Sequence, residues 1–158
     1  MEAEMSEPHC VTLPDGTQVV LANGNQEWRY NGKLHRVGGP AVEKADGRQI
    51  WYHHGKIHRE DGPAIIRANG DQLWYRNDLI HREDGPAIIW VDGSQFWYHN
   101  GQRHRDGGPA VVWDDGSEEH WEYDRQITPH PVRTEPSPSQ TISGGLQLTH
   151  EDFRRRSR

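Results

Sequence analysis

Four histidines, His35, His58, His81 and His104, stand 23 residues apart, and each is followed by an arginine: Arg36, Arg59, Arg82 and Arg105. Imidazoles in series invite a metal, because His is a common zinc ligand. Zinc bonded at about 2 Å needs its donor atoms within about 3.5 Å of one another. A repeat built from paired strands sets equivalent residues two strands apart, roughly 9–10 Å, so no two members of this column can share an ion and no metal site is expected. Each column His is expected to anchor its own segment by hydrogen bonds to backbone. His53, His54 and His99 fall outside the column and are expected in solvent. The Arg row has the chemistry to grip a phosphate chain or an acidic protein surface. Glu60, Asp61, Glu83 and Asp84 follow Arg59 and Arg82 directly, so local ion pairs are expected there. Gly38 and Gly107 take the place of the Asp in the outer units, and Arg36 and Arg105 are expected to be freer.

Trp28, Trp51, Trp74 and Trp97 share the 23-residue period, and Trp121 comes one residue late. A row of indoles can stack nucleic-acid bases, or it can fill the interfaces between stacked units. The second role is expected, with Ile or Val opposite each Trp. Trp90 and Trp113 differ. Earlier units carry Lys44 and Arg67 at their position, so the repeat does not demand an aromatic there, and an exposed apolar patch is expected in the C-terminal half. Together with Arg67, Arg36 and Arg105 these two Trp residues are the candidate partner contacts. Catalysis needs a nucleophile, a base and an oxyanion donor once, in a concave pocket. Here every promising polar residue recurs in several units, so neither an enzyme nor a cofactor is expected.

The elements that position these residues follow from two further registers. Gly-Pro-Ala triplets recur at Gly39-Pro40-Ala41, Gly62-Pro63-Ala64, Gly85-Pro86-Ala87 and Gly108-Pro109-Ala110, with Gly47, Gly70, Gly93 and Gly116 seven residues after each Pro. Asn69-Gly70 is a two-residue type I′ hairpin signal, repeated at Asp46-Gly47, Asp92-Gly93 and Asp115-Gly116. That turn predicts Ile65 opposite Trp74 and Ile66 opposite Leu73. Ile65, Arg67, Gln72 and Trp74 then share one face, and Ala64, Ile66, Leu73 and Tyr75 the other. The segment Asp78 to Gly85 is expected to be a crossover that covers one face, because a third full strand would reverse alternate units and destroy the register. The predicted fold is all-β: tandem hairpins forming a single elongated, twisted antiparallel sheet or an open solenoid. Worn units are expected at both ends, since GTQVVLANG (Gly16 to Gly24) aligns with GPAIIRANG (Gly62 to Gly70) and no His-Arg follows Trp121. The array is placed at 11–127.

The motif W-Y-x-x-G-x-x-H-R-x-D-G-P-A, present as WYHHGKIHREDGPA from Trp51 to Ala64, resembles the MORN-repeat variant of phage, giant-virus and bacterial proteins, over about three quarters of the chain. The resemblance implies an elongated sheet of hairpins acting as a non-enzymatic scaffold or interaction module, labelled an antitoxin component in some bacterial relatives. The His-Arg-x-Asp-Gly-Pro element departs from the glycine-spaced MORN pattern, so membrane-lipid binding is not carried over, and no basic amphipathic stretch supports it.

Composition agrees with a thin fold. The apolar share of the 158 residues is 32%, with seven Trp and five Tyr supplying large flat side chains, which favours a single sheet over a thick core. Cys10 is the only cysteine, which excludes an internal disulfide and a Cys-based zinc site and points to a reducing, cytoplasmic compartment. No run of about 18 apolar residues offers a membrane span. Net charge is −6, with −3 in residues 1–10, −5 in 11–127 and +2 in 128–158, so bulk attraction to nucleic acid is not indicated. Residues 1–10 read as an acidic disordered start, 128–147 as a Pro/Ser/Gly-rich linker, and 148–158 as a basic tail with the pattern of a short helix capped by Thr149. Two functions remain open from sequence. One is a protein-interaction module acting on a host or cellular protein. The other is a nucleotide or nucleic-acid binder using the Arg row and exposed Trp residues. Open sheet edges leave room for copies to pair under either.

Overall fold

The computed structural model describes residues 8–128. The expectations for residues 1–7, for the linker beyond Thr128 and for the basic tail lie outside them. Every regular element among the described residues is a strand, and no helix is long and apolar enough to cross a membrane. The first strand, His9–Thr12, begins inside the segment expected to be disordered.

One antiparallel sheet runs through the chain. From His9–Thr12 it passes through Gln18–Ala22 and Asn25–Tyr30, then Val42–Glu43, Gln49–Ile50, Ile65–Ile66, Gln72–Leu73, Ile88–Ile89, Gln95–Phe96 and Val111–Val112, and ends on Glu118–Glu122 and Arg125–Ile127. Lys33–Leu34 pairs with Asn25–Tyr30 off this path. The two ends do not meet, so the sheet is open and not a barrel. Each full unit contributes two strands to it, which keeps all units in the same orientation, and the expected register of identical units is present in the strand order.

Within a unit the pairing differs by one residue from the prediction. Ile65 lies opposite Leu73 and Ile66 opposite Gln72, so neither Ile faces Trp74, and the predicted face assignment is overturned for these four positions. The cause is the turn. Arg67 N–H donates to Asp71 O and Gly70 N–H to Arg67 O, both at 2.9 Å. Gly70 sits at φ +98° while Asn69 does not have positive φ. This is a type I turn closed by a glycine bulge, a three-residue loop that adds one residue to the two of a type I′ turn. The Asn69 side chain selects it by accepting the Asp71 N–H at 3.2 Å. Asp46, Asp92 and Asp115 accept from Arg48, Ser94 and Ser117 in the same way. The same Ala-Asn-Gly tripeptide forms a true type I′ turn only in the worn first unit, where Asn23 and Gly24 have φ 50° and 74° and Ala22 pairs with Asn25.

The crossover is itself half hairpin. Tyr75–Arg76 pairs with Leu79–Ile80, Tyr52–His53 with Lys56–Ile57, and Tyr98–His99 with Gln102–Arg103. Both turn residues have positive φ at Asn31-Gly32, His54-Gly55, Asn77-Asp78, Asn100-Gly101 and Tyr123-Asp124, as type I′ turns require. Each small hairpin is fastened to the next: Gly55, Asp78 and Gly101 donate backbone N–H to Leu34, Ile57 and Ile80. Burial raises the Tyr52, Tyr75 and Tyr98 hydroxyls above their ordinary pKa. The core is thin. Ala41, Ala64, Ala87 and Ala110, the last residues of the four triplets, are 0% exposed, and Val42, Leu73, Ile88 and Val111 are buried beside them. Trp28, Trp51, Trp74 and Trp97 each donate a backbone N–H to the carbonyl of one of these alanines at 2.8 Å. The expected Ile or Val opposite each indole is found only for Trp28, which faces Val19; Trp51, Trp74 and Trp97 bond across to the alanines.

Candidate functional site

The Arg row is built into the fold. The guanidinium carbon of Arg36 lies 3.7 Å from the ring centre of Trp28, that of Arg59 4.2 Å from Trp51, that of Arg82 4.2 Å from Trp74 and that of Arg105 4.0 Å from Trp97. Each also donates from Nη1 to the carbonyl of the proline four residues on, at 3.1–3.2 Å. The other flank of the guanidinium is the glycine of the triplet. A Cβ on Gly62 would come within 2.9 Å of the Arg59 Cζ, and one on Gly39 within 3.0 Å of the Arg36 Cζ. The sequence Arg-x-x-Gly-Pro is therefore a clamp in which a cation fills the gap between an indole and a bare backbone.

Arg59 and Arg82 donate from Nε to Asp61 and Asp84 at 2.9 and 2.8 Å, and these hydrogen bonds hold both carboxyls below their ordinary pKa. The local pairing expected for the middle units is present. Arg36 is not free either, since Glu43 accepts from its Nη1 at 2.8 Å. Arg105 has no carboxylate partner among the described residues. Clefts of about 740 and 650 Å³ open between successive His-Arg loops. Glu60, Asp61, Glu83 and Asp84 line the larger with Arg59 and Arg82, so its charge is mixed rather than phosphate-seeking. The Arg side chains also cover one face of each column Trp, which leaves that face closed to a stacking base.

The His column joins neighbouring units. Nδ1 of His35, His58 and His81 accepts the backbone N–H of His54, Asn77 and Asn100, at 3.2, 3.3 and 3.1 Å. A backbone donor at Nδ1 places the ring proton on Nε2. In three units Nε2 faces an acid two residues on: Glu60 at 3.6 Å, Glu83 at 3.3 Å and Asp106 at 3.2 Å. His35 has the exposed Val37 in that place. His53 and His54 are exposed, as expected, but they are not scattered. They pack on His35, with ring centres 5.1 and 4.3 Å away, because the type I′ turn of one unit lies against the His of the unit before. Burial first, and then the neighbouring His54 and His53, lowers the His35 pKa below its ordinary 6.5.

No protein-family model matches the chain, and no curated protein is recognisably similar to it.

The positions that break the repeat form the other candidate site. Trp113 is 38% exposed, and its ring meets Phe96 edge-on at 5.2 Å. Trp90 meets the same Phe96 edge-on at 6.1 Å, and Arg67 lies 4.8 Å over Trp90. Val91 beside them is 69% exposed. The three candidates Trp90, Trp113 and Arg67 are thus brought together, while Arg36 and Arg105 belong to the clamps. Phe96 escaped the sequence reading. Its signal is positional: Ile50 and Leu73 occupy its place in earlier units, and the aromatic replacement falls in the unit that gains Trp90. Glu119 accepts from the indole N–H of both Trp113 and Trp121, at 3.1 and 2.8 Å, which fixes the orientation of the patch.

Proposed function

We propose that this chain is a non-enzymatic protein-interaction module of the MORN-like repeat kind, which offers the Trp90–Phe96–Trp113 cluster to a protein partner. The observation that carries the reading is where the aromatics lie. Three rings, at positions where the earlier units carry Lys44, Arg67, Ile50 and Leu73, meet on the sheet, partly exposed, beside Arg67. Aromatic residues and Arg are the types that contribute most at interface centres. The competing reading, nucleotide or nucleic-acid binding by the Arg row, is disfavoured by guanidiniums that are already stacked, hydrogen-bonded and, in three of four units, paired with acid. Affinity capture from the native host separates the two. Capture of a protein that survives moderate salt and is lost in W90A/W113A supports the proposal. Capture of nucleotide or nucleic acid that falls steeply with salt and is lost in R36A/R105A overturns it. The two outer strands each pair on one side only, and a second copy adding to an edge would be seen by light scattering.

A further inference from the structure

We infer that His35, His53 and His54 form a binding site for a divalent transition-metal ion, of which Zn²⁺ is the probe. One ring nitrogen from each lies within 4.8 Å of the others. Three imidazoles with the remaining position open to water are a donor set that zinc accepts, and imidazole also suits its first-row neighbours. Zinc–nitrogen bonds of about 2.0–2.1 Å require the three nitrogens to draw closer by roughly 1.5 Å. The exposed rings of His53 and His54 supply that movement by rotating about their side-chain bonds, which also unstacks His54 from His35.

Three departures from the repeat converge on this one place. His54 takes the first position of a type I′ turn that Asn31, Asn77 and Asn100 hold in three of the four other turns, and it adopts φ 50° there. Positive φ is uncommon outside glycine and better suited to Asn than to most residues, so turn formation alone does not select His. His53 stands where Tyr30 and Arg76 stand elsewhere, adjacent to it. Val37 replaces the acid that faces Nε2 of His58, His81 and His104, so the outer nitrogen of His35 alone in the column has no carboxylate competitor two residues on. His99 tests the specificity of the pattern. It matches His53 in position and packs on His81 at 5.1 Å, but Asn100 follows it, and among the described residues the nearby His104, 6.2 Å from it, does not complete a set of three nitrogens.

Coordination has a structural consequence. In the metal-free state His35 Nδ1 accepts the His54 N–H, so the ring proton is on Nε2. A metal at Nε2 displaces that proton, and the neutral ring then carries its hydrogen on Nδ1. A metal at Nδ1 takes the accepting lone pair directly. Either way the His54 N–H loses its acceptor, and loading the site loosens the link between the first two units.

The experiment is a Zn²⁺ titration of the untagged full chain by calorimetry, with amide hydrogen exchange followed at His54. One ion per chain with a roughly micromolar dissociation constant, weakened about tenfold or more in both H54N and H53R, is the expected result, together with faster exchange at the His54 amide on loading. H54N restores the residue found at Asn31, Asn77 and Asn100, and H53R the residue at position 76, so both keep the fold. H99N is the control and should bind as the parent does. Absence of saturable one-to-one binding, or binding that H54N and H53R leave unchanged or that H99N weakens equally, overturns the assignment.

Discussion

Replacing Gly62 with Ala isolates the clamp from every other property of the glycine. Gly62 does not have positive φ, so the backbone itself accepts Ala, and the whole penalty comes from a new Cβ placed 2.9 Å from the Arg59 Cζ and 3.1 Å from both its Nε and Nη2. The guanidinium must leave. It then loses its hydrogen bond to the Pro63 carbonyl, which at a partly exposed cation contributes about 1–1.5 kcal/mol, and its place over Trp51, about 0.5–1 kcal/mol. The pair with the exposed Asp61 adds little. Against this loss, Ala restricts the unfolded chain and returns about 0.4–1 kcal/mol. The net expectation is destabilisation by about 0.5–2 kcal/mol, read from urea unfolding followed by Trp fluorescence. In an R59A background those three close contacts are gone, and the same substitution should be neutral or stabilising, giving a coupling of about 1.5–2.5 kcal/mol in the double-mutant cycle. G108A should cost less than G62A, since its nearest Arg105 atoms are 3.3 Å away. If G62A stabilises the parent, or destabilises R59A by the same amount, the clamp does not explain the glycine.

Ala64→Val places two methyl groups where exposure is 0%, and overpacking should lower stability by about 1–3 kcal/mol in the same unfolding assay. His81→Ala removes the acceptor of the Asn100 N–H at a buried position. It should cost about 1–3 kcal/mol and raise amide exchange at Asn100 while leaving Asn77 protected by His58. His35 has a pKa lowered by burial and by its His neighbours, so below about 6.5 the unfolded chain binds the proton more readily than the folded one. That contribution to stability is complete above 6.5 and is lost as pH falls through the folded value. A pH series of unfolding midpoints should show this loss, and H35N should flatten that part of the curve.

The period, the open all-β sheet and the alignment of His, Arg and Trp in rows were legible because identical residues return every 23 positions and a repeat can satisfy them only by stacking. The pairing register was not. Asn-Gly serves both a two-residue turn and a bulged three-residue loop, and the choice lies in whether the Asx side chain accepts the N–H two residues on, as Asn69 does for Asp71. The small hairpins were hidden for a different reason. Two-residue strands such as Leu79–Ile80 are too short to show alternation, even where Asn31-Gly32 and Asn100-Gly101 carry the Asn-Gly signal that Asn77-Asp78 lacks. Contacts between units were the least accessible. His35 reaches His54 over 19 residues through stacking whose offset depends on the turn geometry that the sequence left ambiguous.

The last unit shows what the array requires once its consensus lapses. Trp121 is displaced by one residue, so no His-Arg arginine can cover it, yet it is not bare: Arg103, from the strand Gln102–Arg103, lies 3.7 Å over its ring. His104 would extend the column by accepting an N–H from the following turn, but its Nδ1 is buried without a hydrogen-bond partner. Instead Tyr123, the first residue of that turn, stacks flat on the imidazole at 4.0 Å. Different residues thus restore the same two contacts at the last unit, a cation on the column indole and a cover on the column imidazole. A fold held by burying flat rings in a sheet too thin for a core has to cover each ring with something. The identity of the cover is free to change at the ends, where no further unit depends on the register.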